Sequence, residues 1–105
     1  MDDETLKKYA YVNISTYRVK TMKALKDDVK TPTKIAEEAG ILPNHISKVL
    51  RELKETGMVE CINEEARKRR LYRLTAVGEE VVEKLDYTFS SLSQLNLHYF
   101  SNTVI

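Results

Sequence analysis

The sequence predicts one small domain of the α+β class, mainly α-helical with a small β-hairpin. Apolar residues recur at helical spacing through the central part of the chain, and two short segments near residues 60 and 72 have the composition or alternation of strands. Gly40 and Gly57 interrupt the helical pattern where the chain must turn. Because 105 residues bury only one modest core, we expect no separate catalytic or ligand-binding domain.

The N-terminal part of the chain is predicted to support the helices that follow it. Residues 1–12 form an N-terminal lead-in, either frayed or folded as a short helix that packs on a partner. Asn13 or Ser15 could cap a first long helix that ends near Asp27. The apolar members of this helix include Ile14, Tyr17, Met22 and Leu25.

Residues 31–49 have the pattern of a helix-turn-helix. Thr31 and Pro32 are typical of a helix start, and Gly40 lies where a C-terminal cap adopts left-handed dihedrals at little cost. Pro43 begins a second helix, but Leu42 before it has no side-chain acceptor for a cap. Small residues near the turn let the two helices approach closely. The residues expected to face inward are Ile35, Ala36, Ala39, Ile41, Ile46 and Val49.

The second helix of this motif, residues 43–56, is predicted to have one buried and one exposed face. Its apolar residues between Ile46 and Leu53 recur at helical spacing and indicate a buried stripe. The opposite face carries donors suited to base edges and phosphates, so we expect double-stranded DNA as its partner. The candidate DNA-binding residues of this helix are Asn44, His45, Ser47, Lys48 and Arg51.

A β-hairpin with a basic loop is predicted after Gly57. Residues 58–62 are mostly apolar and contain Val and Ile, and residues 70–74 alternate as a strand does. The chain as a whole is nearly neutral, with 17 Lys and Arg against 16 Asp and Glu, so total charge does not indicate a nucleic-acid partner. Cations on a protruding loop can reach a minor groove or phosphates. The candidate contacts of this loop are Arg67, Lys68, Arg69 and Arg70.

Residues 14–85 resemble the winged helix-turn-helix transcription regulators, close to the small MarR-like and ArsR-like regulators of archaea and bacteria. The most specific segments are LRELKETGMVE and YRLTAVGEEV, in which Thr75 would cap the next helix and Gly78 would lie in its first turn. The resemblance implies a dimeric repressor or activator with the second helix of the motif in the major groove of a short palindromic operator. It assigns residues 13–86 to the DNA-binding domain, with residues 63–70 as the wing.

A winged helix can also serve as a protein-interaction or RNA-binding module without operator specificity. A protein-docking face should be more apolar than the polar face of residues 43–56. The sequence therefore favours the DNA-binding regulator over this alternative.

The C-terminal segment, residues 87–105, has no Asp, Glu, Lys or Arg and is rich in apolar residues. Such a segment is too apolar to remain in water. We favour a helix that forms a coiled-coil seam in a homodimer, although residues 95–99 also alternate as a strand, and the segment could instead fold back on its own core. The candidate dimerisation residues are Leu85, Phe89, Leu92, Leu95 and Tyr99.

Catalytic, cofactor and metal sites find no support in the sequence. The chain has no glycine-rich phosphate loop, no nucleophile with a nearby base and no evident pair of catalytic carboxylates, so we do not expect an enzyme. His45, His98 and Cys61 include no closely spaced pair of metal ligands. Cys61 is the only cysteine and is expected to be an inert strand residue rather than a redox sensor. The acidic N-terminus and the lack of a long apolar run predict a cytoplasmic protein.

Overall fold

Five helices and a two-stranded antiparallel sheet form the part of the chain described by the computed structural model, residues 2–86. This architecture confirms the predicted mainly helical class with a small β-hairpin. The elements in chain order are α1 (Asp3–Asn13), α2 (Thr16–Ala24), α3 (Pro32–Ala39), α4 (Pro43–Glu55), β1 (Val59–Cys61), β2 (Tyr72–Leu74) and α5, which is helical over residues 76–86.

The N-terminal lead-in is a helix, α1, and not a frayed segment. The Asp2 carboxylate accepts a hydrogen bond from the Thr5 backbone N–H at 2.8 Å and so caps the first turn. Val12 anchors the other end of the helix, because its side chain is fully buried in the core. The proposed packing of this segment on a partner stays a prediction.

The second helix, α2, begins at Ser15, one of the two predicted caps, whose hydroxyl accepts from the Arg18 N–H at 3.3 Å. Met22 is buried as predicted, but Ile14 is 80% exposed and Tyr17 is 43% exposed. The prediction that Ile14 belongs to this helix was wrong because Ile14 caps the end of α1, and the break there changes the direction of the chain. The helix itself ends at Ala24, three residues before the predicted end.

The turn between α3 and α4 has the caps that the sequence predicts. The Thr31 hydroxyl accepts from the Lys34 N–H at 3.3 Å, and Gly40 adopts a left-handed φ of 69° after the last turn of α3. Leu42 makes no side-chain capping bond to α4, also as predicted. Ile35 and Ala36 are buried in the space between the helices.

The two strands are shorter than predicted, with Val59 opposite Leu74 and Cys61 opposite Tyr72. Met58 lies outside the pairing because its N–H donates to the Leu53 carbonyl at the end of α4. Residue 70 belongs to the loop and not to the strand. A single-residue bridge that the sequence did not predict pairs Lys30, just before α3, with Tyr72 on the free side of β2.

The last described helix, α5, is docked on the turn after α4. The Thr75 hydroxyl accepts from the Gly78 N–H at 3.1 Å, as predicted for a cap, and donates to the Gly57 carbonyl at 2.6 Å. Gly78 lies in the first turn, so close to Met58 that a Cβ added there would be 2.1 Å from the Met58 carbonyl oxygen. This contact fixes the position of the first turn of α5 against Met58.

One apolar core joins every described helix and both strands. The predicted stripe of α4 is confirmed, since its members are at most 4% exposed. Leu85 also lies in the core of its own chain, whereas the other candidate dimerisation residues fall outside the described residues. Within residues 2–86, no helix is both long and apolar enough to cross a membrane. The buried apolar side chains are Val12, Met22, Leu25, Ile35, Ala36, Ile41, Ile46, Val49, Leu50, Leu53, Met58, Val59, Leu74, Val81, Val82 and Leu85.

Candidate nucleic-acid interface

The polar face of α4 points into solvent. Asn44, Ser47, Lys48 and Arg51 are exposed on this face, and His45 is partly buried. The burial of the apolar stripe on the opposite side fixes the rotation of the helix, so these side chains must project outward. The first turn of α4 also leaves backbone N–H groups unpaired by any side-chain cap, which makes it suited to an anion.

His45 is held against α2 by an aromatic contact. Its ring lies over Tyr17, with the ring centroids 5.2 Å apart and the planes inclined by 34°. Tyr17 was predicted as an apolar member of this helix, and its partly exposed ring supports the first turn of α4. His45 is therefore less free to rotate than its exposed neighbours.

The orientation of α4 is also fixed from behind by Arg18 of α2. Its guanidinium donates to the Tyr11 carbonyl at 2.9 Å and lies 3.7 Å from the centroid of the Tyr11 ring. The Arg18 Nε is 3.4 Å from a carboxylate oxygen of Glu52 in α4, an ion-pair contact without hydrogen-bond geometry. Because the Arg18 side chain is only 15% exposed, this contact is shielded from water. It ties α1, α2 and α4 together.

The loop between the strands, residues 63–70, carries exposed cations at its far end. Arg67, Lys68 and Arg69 are exposed, and none of them forms an ion pair with an acidic side chain within residues 2–86. Arg70 differs, since its guanidinium turns back and donates to two carbonyls of the same loop. The four predicted wing residues thus fall into two groups.

Two ion pairs neutralise cations at the base of the hairpin. Arg73 donates to Glu60 on the opposite strand at 2.6 Å, and Lys54 at the end of α4 pairs with Glu64 of the loop. The hydrogen bond from Lys54 holds the pKa of the Glu64 carboxyl below its ordinary value, and the same bond raises the pKa of Lys54. Lys54 and Arg73 are thus neutralised, whereas Lys48 and Arg51 of α4, like the outer cations of the loop, form no ion pair within residues 2–86.

A shallow groove runs between the start of α3, the side of α4 and the loop. It brings Ser47 together with all four basic residues of the loop. A neighbouring depression adds Arg51 and Lys54. Asn44, His45 and Lys48 do not line this groove and lie elsewhere on α4.

Sequence reasoning missed four residues of this groove, Thr31, Pro32, Thr33 and Tyr72. The start of α3 lines one wall, where the N-terminal end of a helix attracts anions. The Thr31 and Pro32 pair could have indicated this position, because it marks where that helix begins. Tyr72 could not be placed, since its position depends on the bridge to Lys30.

In the described part of the chain, the candidate metal ligands and the cysteine do not form a site. Within residues 2–86 no group of His, Cys, Asp or Glu side chains is suited to hold a metal ion. Cys61 is partly buried, with its sulfur 3.5 Å from the Asn63 amide oxygen. Its neighbour Ile62, the last residue of the predicted strand, is 44% exposed, although its N–H donates across the hairpin to the Leu71 carbonyl at 2.9 Å.

Comparison with solved structures identifies the fold. A MarR family transcriptional regulator from Silicibacter pomeroyi superimposes with a TM-score of 0.71 at 14% identity, over 95% of this chain and 74% of that one. The AntR antimony-specific transcriptional repressor gives 0.72 at 16% identity, over 88% and 80%. The fold is a MarR-type winged helix.

A third MarR-type structure, S. aureus MepR in complex with DNA, superimposes with a TM-score of 0.62 at 20% identity, over 96% of this chain and 82% of that one. No protein-family model and no curated protein sequence matches the chain. In the winged helix, α3 and α4 form the helix-turn-helix, and β1 and β2 with residues 63–70 form the wing. The predicted fold is thereby confirmed.

Proposed function

We propose that this winged helix is a sequence-specific regulator of transcription that binds double-stranded DNA, with α4 in the major groove and the wing on the backbone or minor groove. The observation that carries the proposal is one groove that places Ser47 of α4 beside Arg67, Lys68 and Arg69 of the wing, with Arg51 of α4 in the neighbouring depression. The fold of MepR, solved with DNA, and of AntR, a transcriptional repressor, supports it. Such a protein acts by binding, not catalysis, and works in the cytoplasm.

The side chains on the first turns of α4 distinguish one DNA sequence from another. Asn44 and Lys48 are exposed there, and Lys48 forms no ion pair within residues 2–86. A side-chain amide can make paired hydrogen bonds to adenine, and Lys can donate to guanine. Ser47 and His45 complete this surface, and Arg51 lies one turn further along the helix.

The wing contributes affinity for DNA that does not depend on base sequence. Arg67, Lys68 and Arg69 are exposed cations at the end of a loop, where they gain from phosphate charge and from the release of counterions. Contacts of this kind depend on salt and little on base sequence. Thr33 at the start of α3 adds a hydroxyl on the opposite wall of the groove.

The test begins with selection of bound fragments from random duplex DNA, which yields the preferred site and its symmetry. Fluorescence anisotropy then measures binding to that site and to random DNA across a salt series. We expect Asn44→Ala or Lys48→Ala to cost about 1–3 kcal/mol on the preferred site and little on random DNA.

Arg67→Ala or Lys68→Ala should weaken both DNAs together and lower the salt slope by about one unit per lost contact. Lys7→Ala is the control, because Lys7 is an exposed cation of α1 far from the groove in sequence and not among its lining residues. If both classes of variant behave like the control, or if the protein prefers RNA or a protein partner, the proposal is wrong.

A further inference from the structure

The geometry of the wing points to Arg70 as a positioning residue that, with Asn63, holds the loop in the shape that presents Arg67, Lys68 and Arg69. Arg70 therefore acts through the loop and is not itself a phosphate contact. This inference rests on the proposed DNA-binding function. Of the four basic residues 67–70, it assigns three to phosphate contact and one, Arg70, to a brace, that is, a residue that holds the shape of the loop.

The guanidinium of Arg70 is used inside the wing. Its Nε donates to the Ala66 carbonyl at 2.8 Å, and one terminal nitrogen donates to the Glu64 carbonyl at 3.0 Å. A planar guanidinium fixes the directions of these two bonds, so together they set the distance between both sides of the loop. An ammonium group cannot reproduce this pair of bonds with the same geometry.

Asn63 closes the loop at its base. Its amide oxygen accepts from the Leu71 N–H at 2.7 Å, and its amide nitrogen donates to the Arg69 carbonyl at 3.3 Å. One side chain therefore bonds to the backbone on both sides of Arg70. The Asn63 carbonyl also accepts from the Ala66 N–H at 2.9 Å, which forms the first turn of the loop.

Arg69 shows that this shape must be held in place. Its φ of 56° lies in the left-handed region, where a side chain with a Cβ is disfavoured. A residue stays in such a conformation only when its surroundings enforce it. The bond from Asn63 to the Arg69 carbonyl and the two bonds of the adjacent Arg70 side chain provide that enforcement.

The braced loop is also fixed relative to α4. The ion pair between Lys54 and Glu64 joins α4 to the first part of the loop, where the Glu64 carbonyl accepts from Arg70. The cations at residues 67–69 are therefore presented at a set distance from α4. Ordering the wing before DNA arrives removes an entropy cost that a free loop would pay on binding.

Charge-conserving variants separate a brace from a contact. We compare Arg70→Lys and Arg70→Ala with the matched pair Arg67→Lys and Arg67→Ala in the full chain, on the preferred duplex and across a salt series. Arg67→Lys should bind almost as the unaltered protein, and Arg67→Ala should lower the salt slope by about one unit, because a phosphate contact needs only the charge.

Arg70→Lys should instead weaken binding by about tenfold, as Arg70→Ala does, with the salt slope unchanged. The charge is kept in the Lys variant but the two hydrogen bonds are lost. Asn63→Ala should show the same pattern as Arg70→Lys. If Arg70→Lys binds as the unaltered protein while Arg70→Ala lowers the slope by one unit, Arg70 is a phosphate contact and the inference is overturned.

Amide hydrogen exchange in the free protein tests the brace without DNA. We expect the Ala66 and Leu71 amides to exchange about fivefold to tenfold faster in Arg70→Lys, with amides of α3 and α4 unchanged. If these two amides exchange at unchanged rates in Arg70→Lys, the inference that Arg70 holds the loop is overturned. If the unaltered protein binds no duplex DNA, the proposed function fails and so does the role of the brace in it, while the exchange rates still decide whether Arg70 orders the loop.

Discussion

Two glycines of the domain are required for different physical reasons. Gly40 needs its left-handed φ of 69°, and a Cβ added there would contact nothing within 4 Å. At Gly78 the backbone has no unusual φ, but an added Cβ would lie 2.1 Å from the Met58 carbonyl oxygen. The first glycine therefore supplies a conformation, and the second supplies space.

This difference predicts the order of two alanine substitutions. Gly40→Ala should lower the free energy of unfolding by about 1 kcal/mol, the cost of the left-handed conformation. Gly78→Ala should lower it by more, about 2–3 kcal/mol, because a backbone carbonyl must move and the gain in helix propensity is only about 1 kcal/mol. Denaturant unfolding monitored by circular dichroism measures both. A smaller loss for Gly78→Ala than for Gly40→Ala would contradict the packing of α5 on Met58.

The sequence predicted the helix caps correctly, because a cap depends on one residue and on the backbone next to it. Thr31, Gly40 and Thr75 cap their helices as predicted, and Leu42 fails to cap α4. The inward turn of Arg70 could not be predicted in the same way. Its acceptors are loop carbonyls that come within reach only after the hairpin closes.

At the scale of elements, the wing is joined to α4 by the ion pair between Lys54 and Glu64. The pKa of Glu64 lies below its ordinary value of 4.5, chiefly because of the hydrogen bond from Lys54. A carboxyl whose pKa is lowered by folding stabilises the folded state above its ordinary pKa. That contribution is lost as the pH falls through the lowered value.

We therefore expect the wing to loosen from α4 only at pH values below 4.5. Titration of the Glu64 carboxyl followed by NMR should give a midpoint below the ordinary value. In Lys54→Ala the midpoint should rise toward that value, and in Glu64→Gln the exchange of loop amides should no longer follow this titration. The same midpoint in Lys54→Ala and in the unaltered protein would show that the ion pair is not formed in solution.

The periodicity of apolar residues predicted the positions of the helices more closely than those of the strands. The stripe of α4 spans enough turns to fix both its extent and its buried face. The strands have three residues each, and their ends are set by bonds to other elements, such as that of Met58 to the end of α4. The first predicted helix extended about three residues too far at its C-terminal end, and Ile14, counted among its apolar members, instead ends α1.

At the scale of the whole molecule, we propose a homodimer held largely by residues 87–105. The segment has no charged Asp, Glu, Lys or Arg side chain, and the core of residues 2–86 is already closed around Leu85. Sedimentation of the full chain at roughly tens of micromolar, a range that detects weak interfaces, should show dimers. Truncation after Asp86, which keeps Leu85 and the Asp86 ion pair with Lys26, should give monomers. A full chain that sediments as a monomer would contradict the proposal.

The bridge between Lys30 and Tyr72 bears on how the domain folds and melts. The two residues exchange both backbone hydrogen bonds, at 3.0 and 2.9 Å, and so extend the two-stranded sheet toward the start of α3. A hairpin of two short strands is at best marginally stable in water. A peptide containing only residues 57–76 should therefore remain unstructured, and the base of the wing should form only after α3 is in place. On heating, the helix-turn-helix and the wing strands should unfold in one cooperative step and not in two.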